Sequence, residues 1–107
     1  MARAHRVYLV GPTTGSPEER AALFGPSIEA VRRQGYEVLA PFLDAPARPA
    51  LAERLAHADT CLALLKEEAD CVAVLPGAEG AWEVPVVTTA LGAPLLTLDD
   101  LFRDAVA

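Results

Sequence analysis

Val7-Tyr8-Leu9-Val10-Gly11-Pro12-Thr13-Thr14-Gly15 is the stretch whose reading decides the fold. Four apolar or aromatic residues closed by Gly-Pro predict a strand buried on both faces. Small hydroxyl and glycine residues follow, then Ser16-Pro17-Glu18-Glu19. There Ser16 is placed to cap a helix, Pro17 to be its first residue and Glu19 to return the bond of a capping box. A buried strand, a glycine-flanked loop and a capped helix start form the unit in which α/β proteins hold small polar or anionic ligands. The same pattern also serves as a tight strand-to-helix connection with no ligand at all.

Outward from this unit, strands and helices alternate. Residues 17–23 predict a short helix that breaks at Gly25-Pro26, because an internal proline loses a hydrogen bond and crowds the preceding turn. A second helix restarts at Pro26, burying Ile28 and Val31, and Gly35 is its C′ stop. Residues 36–40 read as the second strand, and residues 42–50, with two prolines, as a loop near the ligand. From residue 51 to about 68 a helical pattern returns, with Leu51, Leu55, Ala58, Leu62 and Leu65 on one face. Residues 71–75 are a third buried strand ended by Pro76-Gly77. A helix over 85–92, a strand over 94–98 and a last helix capped by Asp99 complete the chain. Apolar strands joined by right-handed crossovers give a small doubly wound parallel sheet, flavodoxin-like or Rossmann-like, with helices on both faces. The expected order is 2-1-3-4, so a ligand belongs over residues 11–15 and 76–83, at the switch point between strands one and three.

The 107 residues predict one domain spanning 1–107. A hydrophobic fraction of 52% argues against disorder, and no apolar run approaches membrane-spanning length. The start of the chain lacks a charged segment followed by an apolar one, which argues against a signal peptide. Cys61 and Cys71 have neither metal spacing nor a disulfide framework, so a reducing cytoplasmic setting is expected, with both as small core residues. A net charge of −6 disfavours nucleic-acid polymers and acidic membranes as partners. His5 and His57 are too few and too far apart for a metal site, and no cofactor is implied.

Among groups able to carry chemistry, Glu83 stands first, at the mouth of a helix beyond the Gly77 and Gly80 turn. It suits a nucleophile or an anchor for sugar hydroxyls, or simply a favourable helix start. Asp59 lies on the preceding helix with His57 turned away from it, and reads equally as a surface carboxylate. Tyr8 is a core aromatic unless its hydroxyl reaches the cleft. Gly11, Pro12, Thr13, Thr14 and Gly15 offer hydroxyls and backbone N–H groups. Glu18 and Glu19 oppose a phosphate there, offset only by Arg20.

Together these residues resemble the nucleoside 2-deoxyribosyltransferase-like superfamily, above all its small bacterial and phage branch with a Gly-Pro-x-Thr-Gly motif. The resemblance runs through Tyr8-Leu9-Val10-Gly11-Pro12-Thr13-Thr14-Gly15, Phe24-Gly25-Pro26, Gly35-Tyr36-Glu37-Val38, Ala69-Asp70-Cys71-Val72, Leu75-Pro76-Gly77 and Ala90-Leu91-Gly92. It implies cleavage or transfer of an N-glycosidic bond of nucleosides or nucleotides. In that chemistry Glu83 is the nucleophile, Asp59 the assisting acid and Tyr8 the orienting hydroxyl. It also implies a homodimer or higher homo-oligomer. Residues 76–83 are similar, more weakly, to the Pro-Gly-Gly-x-Gly-Thr-x-x-Glu loop of phosphoribohydrolases that release cytokinin bases. A non-catalytic nucleotide-binding or interaction module with the same fold is the alternative for these residues.

Overall fold

The opening stretch forms strand β1 (Arg6–Val10), at the centre of a four-stranded sheet. The computed structural model of the chain describes residues 5–13, 15–45, 50–93 and 95–106. β1 lies between β2 (Glu37–Leu39) and β3 (Cys71–Val74), and β4 (Leu95–Leu96) adds to the far side of β3. All pairings are parallel and the order is β2-β1-β3-β4, as expected from the sequence. Tyr8 pairs with Leu39 on one side and Val72 on the other, and Val10 pairs with Val74. Successive strand residues point to opposite faces. Val7 and Leu9 therefore enter a core with Ile28, Val31 and Leu101, while Tyr8 and Val10 enter one with Cys61, Leu65 and Val87.

Helices α1 (Pro17–Arg33) and α4 (Leu98–Val106) supply the first core. The second is supplied by α2 (Leu51–Ala63), which widens into a π-turn over Leu64–Glu68, and by α3 (Glu83–Pro85), which widens likewise over Val86–Ala90. The sheet is thus covered on both faces in the doubly wound, Rossmann-like manner.

Several local expectations are revised. The capping box is present, with Glu19 N–H donating to Ser16 Oγ at 3.2 Å and Ser16 N–H to Glu19 Oε1 at 3.3 Å. α1, however, runs unbroken through Gly25-Pro26. Pro26 and Ala22, the residue whose carbonyl loses its helical donor, are both exposed, which leaves the freed oxygen on the solvent side, where the helix continues without a buried unpaired group. The 3₁₀ turn Pro41–Asp44 takes up the start of the loop expected over 42–50, while residues 46–49 lie outside the described residues. Helix α3 begins at Glu83, two residues before the expected start. The last helix is capped by Thr97 and not Asp99: Asp100 N–H donates to Thr97 Oγ1 at 3.2 Å and Thr97 N–H to Asp100 Oδ2 at 2.9 Å.

The largest revision concerns α2. Its buried face is Cys61 and Leu65, with Ala58 half-buried, whereas Leu51 and Leu55 are 70% and 58% exposed. These two leucines lie in the first turns of the helix, where nothing described covers them. No helix among the described residues is long and apolar enough to cross a membrane.

Candidate functional site

The sheet's C-terminal edge opens into a cleft of about 500 Å³ at the predicted switch point. The β1 loop (Gly11, Pro12, Thr13), the β3 loop (Gly77, Gly80, Trp82), Glu83 and one face of α2 line it. Its floor follows from the strand alternation. Tyr8 points to the α2 side of the sheet and is fully buried, and its hydroxyl donates to Glu83 Oε2 at 3.0 Å. Glu83, at the start of α3, is only 8% exposed. The other carboxylate oxygen makes no hydrogen bond among the described residues. A buried carboxylate with one oxygen held and one open to a cleft is pre-oriented for attack or for binding a hydroxyl.

Burial first, then the neighbouring Cys61 thiol and the Glu83 charge, push the Tyr8 phenol far above its ordinary value. It therefore stays a neutral donor at any physiological pH. Cys61 is 1% exposed, and its thiol is also pushed up, chiefly by burial and further by Glu83. The thiol is thus protonated and inert.

Gly77 holds φ 91°, a left-handed conformation that turns the chain sharply after β3 and starts the loop leading to Glu83. Gly11 serves a different purpose. A Cβ there would stand 2.5 Å from the Phe42 ring, so the missing side chain admits Phe42, and Phe42 in turn packs edge-on against Phe24 at 5.5 Å.

Arg20 is 2% exposed and takes no part in an ion pair among the described residues. Its guanidinium donates to the carbonyls of Phe42 and Ala45 and, at 3.3 Å, to that of Gly15. It straps the loop after β2 to the loop after β1. Its expected role of offsetting Glu18 and Glu19 is replaced by this structural one.

The structure brings Tyr8 and Glu83 together and places Gly11, Pro12, Thr13, Gly77 and Gly80 in the cleft wall. Gly15 lies outside that wall, beside Arg20, and Thr14 lies outside the described residues. Asp59 is exposed on α2 and does not line the cleft. In its stead α2 presents Arg54, which sequence reasoning passed over, His57, which it turned away from Asp59 and set aside as a metal ligand, and Ala58, which it placed on the apolar face of the helix. Their signal was present: 54, 57, 58, 61 and 65 follow three- and four-residue steps on one helical face. The leucines at 51, 55 and 62 drew the face to one side. Among the described residues no group of three His, Cys, Asp or Glu side chains is arranged to hold a metal.

No curated protein matches this chain. A family model does match, over residues 5–85, a span that holds β1, β3, the cleft loops and both Tyr8 and Glu83. The chain therefore belongs to the family described as a domain of unknown function (DUF4406).

Proposed function

We propose that the protein is an enzyme acting on the N-glycosidic bond of a nucleoside or nucleotide, with Glu83 as nucleophile and Tyr8 as the residue that orients it. The observation that carries this is the 3.0 Å bond from the buried Tyr8 hydroxyl to Glu83 Oε2 at the floor of the switch-point cleft. The order of motifs shared with the nucleoside 2-deoxyribosyltransferase-like superfamily supports the same chemistry. The free carboxylate oxygen attacks C1′ of the sugar as the C1′–N bond breaks, and the bonding pair leaves with the base, which takes up a proton from solvent. Water or a second base then attacks C1′, the glycosyl–Glu83 ester breaks, and the carboxylate is restored with overall retention. Trp82, 40% exposed at the cleft wall, offers an aromatic face to the base.

The test is base release from a panel of deoxynucleosides and their monophosphates. Wild-type protein is expected to release base, and Glu83→Gln to lower the rate at least about a thousandfold, as loss of a covalent nucleophile does. Absence of release from every member of the panel would end the catalytic reading.

One observation favours a second function, a nucleotide-binding module without turnover. Asp59 is exposed away from the cleft, which leaves Glu83 as the one carboxylate in the described lining. Saturable nucleotide binding with no base release would establish it. Homo-oligomerisation remains part of the proposal in either case, supported by Leu51 and Leu55 exposed one turn apart on α2. Sedimentation velocity tests it, a concentration-independent monomer being the contrary result.

A further inference from the structure

We propose that the α2 wall of the cleft is a phosphate-binding subsite, with Arg54 and His57 taking the 5′-phosphate of the ligand, so that nucleoside monophosphates are preferred over nucleosides. The inference rests on the cleft being a nucleoside site, and deepens it.

Arg54 and His57 are three residues apart on α2 and both line the cleft. At that spacing two helical side chains are neighbours, within reach of one anionic group. Neither side chain makes a hydrogen bond or ion pair with a described residue, and residues 46–49 (Pro-Ala-Arg-Pro) contain no carboxylate that could neutralise them. The nearest acid on the same helix turn, Glu53, is engaged with the backbone N–H of Ala50 at 3.3 Å. The chain as a whole carries 15 acidic and 9 basic residues. Yet the described cleft lining holds one acid, Glu83, and that acid forms an ion pair with neither Arg54 nor His57. A cation and an imidazole with no partner among the described residues, lining the same cleft of an acidic protein, select an anion. The Thr13 hydroxyl in the β1 loop adds a neutral donor to the same lining. The phosphate thus goes to α2, and not to the helix start after the β1 loop, where Glu18 and Glu19 repel it.

Binding by isothermal calorimetry tests the assignment, using the Glu83→Gln protein so that no ligand is consumed. A deoxynucleoside monophosphate is expected to bind at least about tenfold more tightly than the matching deoxynucleoside, a typical return from one charge-assisted contact. Adding Arg54→Gln is expected to remove most of that difference while leaving deoxynucleoside affinity within about twofold. Equal affinities for the two ligands overturn the inference, as does a preference that survives Arg54→Gln. So does inorganic phosphate binding as tightly as the monophosphate, which would mark a bare anion site. The outcome is separable from the catalytic proposal. Wild-type protein that releases no base while the Arg54-dependent preference holds removes catalysis and keeps the subsite. Base release at equal rates from both ligand types, unaffected by Arg54→Gln, does the reverse.

Discussion

At the residue scale, the pair Tyr8–Glu83 unites two roles, because a buried carboxylate needs a donor whether or not it reacts. Tyr8→Phe removes that donor and leaves Glu83 short of a partner, at an expected cost of about 1–3 kcal/mol in denaturant unfolding. In Tyr8→Phe/Glu83→Leu, which removes both polar partners, the summed cost is expected to fall short of additivity by about 1 kcal/mol. Additive costs would show that the two side chains are not coupled. Tyr8 was legible in the sequence as far as the alternation of a strand allows: it had to face away from Val7 and Leu9. Glu83 was legible as the acid that follows the Gly77–Gly80 turn. Their contact was not, since it joins residues 75 positions apart and depends on how far α3 begins before Pro85. Arg20 was misread for a related reason. A charged residue in a first helical turn reads as solvated, and only the fold brings three carbonyls around it.

At the scale of elements, the β1 loop is shaped by an aromatic ring. Gly11→Ala puts a methyl group 2.5 Å from Phe42, so either the ring or the loop must move. The expected destabilisation is about 1–3 kcal/mol, as for other overpacked sites. Trimming the ring in Gly11→Ala/Phe42→Leu is expected to cost less than the sum of the two changes, measurable by chemical denaturation. Full additivity would mean that the glycine answers to something other than Phe42. The four strands and their order were readable because each strand is apolar and each crossover long enough for a helix. Boundaries were less so: Pro26 is an internal proline that solvent exposure makes tolerable, and the widened turns after α2 and α3 have no residue signature. α2 was misoriented because its leucines are exposed at the near end, where a hydrophobic pattern carries no information about which elements reach it.

At the scale of the whole molecule, burial of Tyr8 and Cys61 makes the fold sensitive to alkaline pH. Both groups have native pKa values above their unfolded ones, about 10 for the phenol and about 9 for the thiol. The native state therefore keeps protons that the unfolded chain releases. The stabilisation is complete below pH ~9 and is lost as the pH rises beyond it, by up to about 1.4 kcal/mol per pH unit for each such group. Thermal unfolding followed from pH 8 to 11 is expected to show this fall. Tyr8→Phe is expected to flatten its upper part, and an unchanged slope in that variant would contradict the assignment. The strap formed by Arg20 has a wider consequence. Ala45, whose carbonyl it holds, also lines the cleft, and the loop after β1 is held by the same guanidinium through Gly15. The aperture of the cleft is thereby governed from behind the wall, by a side chain outside its lining. Variants of Arg20 would thus retain every cleft residue and still lose selectivity, as a lock with intact pins fails when its housing is loosened.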